Sequence, residues 1–231
     1  MDYVVPQPAA IALPVAASAA LFPVHRVYCV GRNYVEHAKE MGFSGREDPF
    51  FFFKPNDALV PVAQGQTGSM AYPSKTSNLH HEIELVVALG KGGVDLSLEQ
   101  AADCVWGYAV GLDMTRRDLQ SEAKKLGRPW EVGKSFEQSA PIGPIHPRSA
   151  TGSLDKNAIW LDVNGQRRQS STLDKLIWNV AESIAFLSGL FELKAGDLIF
   201  TGTPEGVAAV AEGDLIVGGI DGLGELRVKI A

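Results

Sequence analysis

From residue 81 the chain reads His-Glu-Ile-Glu-Leu-Val-Val-Ala-Leu, with apolar residues at every second position. Side chains alternate faces along a strand. Ile83, Leu85, Val87 and Leu89 therefore predict one apolar face, while Glu82, Glu84, Val86 and Ala88 share the other. Further short strands are predicted at 27–30, closed by Gly31, and at 50–53 and 106–112, the latter ending at Asp113. Three more follow at 197–200, 214–217 and 225–230, separated by glycine turns. Asn164-Gly165 between apolar-patterned runs at 159–163 and 166–169 predicts a tight hairpin. Residues 33–41, stopped by Gly42, read as a helix. Leu173, Leu176, Ile177, Val180, Ile184 and Leu187 recur at helical spacing and predict the longest helix, ending near Gly189. Ser97 with Gln100 forms a capping box for a helix through about Cys104. Thr115 with Asp118 resembles a second cap, for a helix running to Gly127. Many short strands with a few helices, without regular βαβ alternation, predict a mixed, β-rich fold.

The 231 residues are 45% hydrophobic and 21% charged, enough for one large core. We expect an N-terminal arm over 1–24 and a single domain over 25–231. The stretch 9–22 is apolar, but it lacks a basic leader and is broken by prolines at 6, 8 and 14, so it reads as an arm on a cytoplasmic protein. A net charge of −6 argues against nucleic-acid or anionic-membrane partners. Cys29 and Cys104 form no CxxC pair and read as small packed hydrophobes.

Two carboxylates on one strand face repel, and burying them alone is costly. Glu82 and Glu84 therefore predict either a solvated sheet edge or a bound cation. Asp113, where a strand meets a loop, is either a helix cap or a third carboxylate. The three together would suit Mg²⁺ or Mn²⁺. His80 and His81 point to opposite faces of a strand and read as packing residues. His37 and Glu40 lie three apart on one helical face, as a surface pair or as an oriented general base. Arg32, Lys54 and Lys134 are isolated cations, on the surface or placed to receive a substrate carboxylate or oxyanion. Gln120 is a neutral donor if its helix faces the site. The glycine-rich turn after residue 200 has the hydroxyls and N–H groups to hold an anion. It lacks the GK[ST] of a nucleotide loop; GxSxG and a strand-to-helix GxGxxG are also missing.

Seven segments occur in order: Gly31-Arg32-Asn33-Tyr34, Phe53-Lys54-Pro55, His81-Glu82-Ile83-Glu84-Leu85, Gly111-Leu112-Asp113-Met114-Thr115, Arg117-Asp118-Leu119-Gln120, Gly133-Lys134-Ser135-Phe136 and Thr201-Gly202-Thr203-Pro204-Glu205-Gly206-Val207. Together they resemble the fumarylacetoacetate hydrolase family, in its short acylpyruvate and fumarylpyruvate hydrolase branch, from residue 27 to the C-terminus. The resemblance implies an α+β, β-rich fold with a rolled mixed β-sheet, paired as a homodimer. It implies Mg²⁺ or Mn²⁺ held by Glu82, Glu84 and Asp113, and His37 with Glu40 activating water on a segment that closes over the substrate. It places Lys134 and Gln120 against substrate oxygens and Arg32 and Thr203 in the substrate-binding neighbourhood. Lys54 joins them as a candidate carboxylate-binding cation. The implied reaction is hydrolysis of a carbon–carbon bond in a 2,4-diketo acid. Oxaloacetate decarboxylation, isomerisation of an unsaturated keto diacid, and noncatalytic metal binding are the competing expectations.

Overall fold

The acid-bearing run folds as the strand Ile83–Leu89, every residue of which is buried. It lies inside an eight-stranded mixed sheet, flanked by Leu198–Phe200 and Val105–Leu112. Its two faces feed separate cores, as the alternation predicts. Ile83, Leu85, Val87 and Leu89 join the larger cluster, and Val86 and Ala88 the smaller. A central strand has no solvated edge, so the solvent-facing alternative for Glu82 and Glu84 is excluded. The structure, a computed structural model, describes residues 3–40 and 46–231, without the side chains at 38–40.

From one edge, the large sheet runs Phe50–Lys54, Val27–Gly31, Leu198–Phe200, Ile83–Leu89, Val105–Leu112, Ala140–Ile142 and Leu59–Pro61, with His146–Pro147 added alongside Val105–Leu112. Two of its pairings are parallel, Leu198–Phe200 with Val27–Gly31 and Ala140–Ile142 with Leu59–Pro61. The sheet is curled into a half-barrel within a strand-rich α+β chain. A second, five-stranded sheet packs against it through Ile159, Leu161, Ile216 and Ile220 of the larger core. It contains the expected hairpin, Ala158–Val163 with Gln166–Thr172. Asn164 and Gly165 both take positive φ, at 50° and 76°, the backbone a two-residue hairpin turn requires. The N-terminal stretch is woven into the smaller core. Ala12–Pro14 pairs with Leu21–Pro23, and Leu13 and Phe22 are buried. Cys29 and Cys104 are free and buried, as expected for small hydrophobes.

Three predicted helices begin elsewhere. The first is Val35–Glu40, and its predicted stop at Gly42 lies outside the described residues. Asn33 is withheld from it because its side chain serves neighbouring chain segments. Its amide donates to the Trp178 and Thr201 carbonyls at 2.9 and 2.8 Å, and its oxygen accepts from Trp178 N at 2.8 Å. The longest helix is Val180–Leu190, starting seven residues after Leu173. A capping box between Asn179 and Glu182 fixes that start, and the preceding Leu173–Lys175 is a 3₁₀ turn. Thr115 caps nothing. It pairs as a strand residue with His80, and the helix Arg117–Lys125 begins without a side-chain cap.

Candidate active site

Register brings the three carboxylates together. Ile83 lies opposite Leu112 in the antiparallel pair, so Glu82 and Asp113 sit side by side just beyond it, linked by Asp113 N donating to Glu82 O at 2.9 Å. Glu84, two residues along, points the same way as Glu82. Carboxylate oxygens of Glu82, Glu84 and Asp113 lie within 4.8 Å of one another, and all three residues are buried.

Fixed cations hold two of them. Lys134 ends the short helix Glu131–Lys134 and is fully buried. Its ammonium donates to Glu82 Oε2 at 2.7 Å, Asp113 Oδ2 at 2.5 Å and Thr115 Oγ1 at 2.7 Å. Arg117 donates to the other oxygen of Glu82 and, at 2.6 Å, to Gln120 Oε1. Burial alone would raise the Glu82 carboxyl, but Lys134 and Arg117 hold it well below the usual range. Burial opposes the Lys134 charge, and Asp113 and Glu82 overcome it, so the ammonium is held above its ordinary value. Glu84 is the opposite case. Burial, then Asp113 and Glu82 beside it, push its carboxyl well above the ordinary range, against one N–H from Gly202 at 2.7 Å.

That imbalance is the signature of a cation site. Three buried oxygen donors, one raised by its neighbours' negative charge, form a hard-ligand set suited to Mg²⁺ or Mn²⁺. The residues present fit the ion.

The acids open onto a cleft that is also lined by Arg32, His37, Phe52, Arg117, Gln120, Trp130, Lys134, Gly202 and Thr203. His37 is buried on the helix Val35–Glu40; the side chain of Glu40 lies outside the described residues. Gln120 is buried on the cleft lining with its oxygen engaged by Arg117, so its NH₂ takes no part in that bond. Arg32 takes φ 53° and stacks over Phe50 at 4.7 Å. The expectation for Lys54 changes. It does not line the cleft; its ammonium is buried against Asp113 Oδ1 at 2.8 Å, Ser139 Oγ at 3.0 Å, Met114 O at 3.3 Å and the Lys134 carbonyl. With those partners it is a buried counter-charge that braces Asp113 and the Lys134 backbone.

His80 and His81 diverge, as expected of neighbours in extended chain. Burial and then Arg117 lower His80 to about 4, and burial likewise lowers His81, so both are neutral near pH 7. Sequence reasoning gave no role to Arg117, although it lies three residues before Gln120 on one helical face. Thr115 as a Lys134 partner carried no local signal; the Gly202 N–H belongs to the turn read as an anion holder, and the carboxylate it meets is the chain's own Glu84.

A curled mixed sheet with a buried tricarboxylate and an adjoining lysine defines a class of acidic cation-binding site. The chain belongs to the fumarylacetoacetate hydrolase family: the model described as fumarylacetoacetate (FAA) hydrolase C-terminal matches residues 26–231. Among curated proteins it is 50% identical over 184 residues to fumarylpyruvate hydrolase of a Ralstonia species, covering 80% of this chain and 93% of the relative. It is 42% identical over 204 residues to a mitochondrial oxaloacetate tautomerase of Rattus norvegicus, covering 88% and 90%. Among solved structures it matches fumarylpyruvate hydrolase from Pseudomonas aeruginosa in complex with Mn²⁺ and pyruvate. The TM-score is 0.98 at 58% identity, covering 100% of this chain and 99% of that one.

Proposed function

We propose that the protein is a metal-dependent hydrolase that cleaves a carbon–carbon bond in 2,4-diketo acids of the fumarylpyruvate type, giving pyruvate and a carboxylic acid. The observation that carries this reading is the buried convergence of Glu82, Glu84 and Asp113. The likeness to fumarylpyruvate hydrolases, one of them described with Mn²⁺ and pyruvate, supports the substrate class.

Glu82, Glu84 and Asp113 would hold Mg²⁺ or Mn²⁺, which supplies Lewis acidity toward substrate oxygens. His37 takes a proton from water, with Glu40 orienting its imidazole. The water oxygen bonds to the distal carbonyl carbon. Gln120 donates its NH₂ to the oxygen on which negative charge grows, and Lys134, its three N–H groups held by Glu82, Asp113 and Thr115, stabilises that oxygen by its positive charge. The bond between that carbon and the pyruvyl methylene then breaks, its electron pair leaving on the pyruvyl carbon, which takes back the proton His37 removed from water. Arg32 and Thr203 bind the substrate's carboxylate end.

The same reading makes the protein a cytoplasmic homodimer acting on a small molecule, with no nucleic-acid or membrane partner. The net charge of −6 supports the exclusion of nucleic acid. Among the described residues no helix is long and apolar enough to cross a membrane.

The test is turnover. Protein stripped with chelator and reloaded with Mn²⁺ or Mg²⁺ is assayed on fumarylpyruvate by loss of enol absorbance and release of pyruvate. Full turnover without metal rejects the scheme; no pyruvate with either metal rejects the reaction. The identity to an oxaloacetate tautomerase and, at 41%, to a mitochondrial oxaloacetate decarboxylase of Dictyostelium discoideum favours a second reading, enol–keto exchange or decarboxylation of oxaloacetate. Decarboxylation needs no attacking water, so His37→Ala spares it while cutting hydrolysis by about 10²–10⁴.

A further inference from the structure

Gln169 is fully buried on the strand Gln166–Thr172, while Arg168 and Ser170 beside it are exposed. The hairpin register shifts at this point. Leu161 lies opposite Gln169 and Asp162 opposite Arg167, which leaves Arg168 with no counterpart. Such a bulge re-aims a side chain, and bulges are frequent beside functional sites. Here it turns a carboxamide into the seam between the acid-bearing strand and the glycine-rich turn.

The orientation of that carboxamide follows from the chemistry of its partners. Ile83 N–H can only donate, and it meets Oε1 at 3.2 Å. Pro204 C=O can only accept, and it meets Nε2 at 2.8 Å. A flipped amide would set donor against donor and oxygen against oxygen. His81 Nδ1, 2.9 Å from Oε1, therefore also donates. The second hydrogen of Nε2 reaches Thr203 Oγ1 at 2.8 Å. Thr203 is thus an acceptor toward Gln169. Among the described residues its own hydroxyl proton meets no acceptor, and Thr203 lines the cleft.

We propose that Gln169 is a positioning residue that fixes the polarity of the Thr203 hydroxyl, so that its proton is presented to the carboxylate of the bound 2-oxo acid. This rests on the function proposed above. A hydroxyl held in this way selects a group that only accepts, as a carboxylate does, and gains nothing from an amide nitrogen or another donor.

The test is pyruvate binding to the Mn²⁺-loaded protein by titration calorimetry, which requires no turnover. Gln169→Glu keeps an oxygen toward Ile83 and His81 but sets a second oxygen against Thr203, which captures the hydroxyl proton. Gln169→Met removes the donor that holds Thr203 as an acceptor, so its hydroxyl is no longer fixed toward the ligand. Each of these variants, and Thr203→Val, is expected to weaken pyruvate about tenfold, the loss of one hydrogen bond to a charged group. Gln169→Glu combined with Thr203→Val is expected to bind no more weakly than Thr203→Val alone, and Thr203→Ser to bind as the wild type does. Either Gln169 variant carries the test if the other fails to fold. Wild-type affinity in both Gln169 variants, or losses that multiply in the combined variant, would assign Gln169 a structural role and overturn the proposal. A wild-type protein that turns over fumarylpyruvate while both Gln169 variants keep full affinity sinks this inference alone. One that neither binds pyruvate nor turns over sinks the functional reading first.

Discussion

Lys134 and Lys54 look alike in the sequence, each an isolated cation beside a glycine, proline or aromatic residue. Both end as buried partners of Asp113, yet only Lys134 lines the cleft. Lys134→Met removes the positive charge that the proposed reaction sets beside the growing oxyanion and the counter-charge of two carboxylates. Its kcat is expected to fall about 10²–10³-fold. Steady-state kinetics on the folded variant checks this; an unchanged kcat would remove Lys134 from the reaction. A second residue-scale prediction concerns pH. Asp118 accepts from Thr76 Oγ1 at 2.6 Å, Ser77 N at 3.0 Å and Leu119 N at 2.9 Å. Burial works to raise its carboxyl, and these bonds, Thr76 first, bring it below the ordinary value. A depressed carboxyl stabilises the fold above its unfolded pKa and loses that contribution as pH falls through the folded one. Asp118→Ala is therefore expected to cost about 1 kcal/mol near neutrality. In denaturant titrations the gap to wild type should close below about pH 4; a gap that persists at lower pH would contradict the assignment.

At the scale of elements, the boundaries were set by side chains from distant parts of the chain. The helical spacing from Leu173 is real in the sequence, but Ile177 N is taken by Asn33 O and Trp178 N by Asn33 Oδ1. Backbone bonded to a distant segment cannot continue a helix ladder. The Asn179–Glu182 box then starts the helix that does form, and Asn179→Ala is expected to cost about 1 kcal/mol. For a chain of this length that is a fall of about 2–4 °C in Tm, read by thermal melting. The Ser97–Gln100 box, by contrast, is local, and both of its bonds form as read from the sequence.

For the whole molecule, the acid cluster sets strain at the centre of the sheet against the binding of an ion. Buried like charges destabilise the empty site, so occupancy is expected to stabilise the fold. Mn²⁺ at 100 times its Kd would add about 2.7 kcal/mol. Chelated and reloaded samples should separate in thermal melts. Glu84→Gln, which removes the raised carboxyl and one ligand, should largely abolish the metal-dependent shift. Equal melts for chelated and reloaded wild type would count against the site.

The sequence by itself determined the strand alternation, the hairpin, the local capping box and the ordered motifs that resemble one family. These are legible because each depends on residues a few positions apart. Only the tertiary structure decided that Glu82 and Asp113 adjoin, that Lys54 is enclosed, that Arg117 grips Glu82 and that Gln169 orients Thr203. Those relations span 31, 59, 35 and 34 residues of chain respectively. They arise from strand register and a bulge, where a shift of one residue reverses the face of every side chain, and no local pattern records which register the packed core selects.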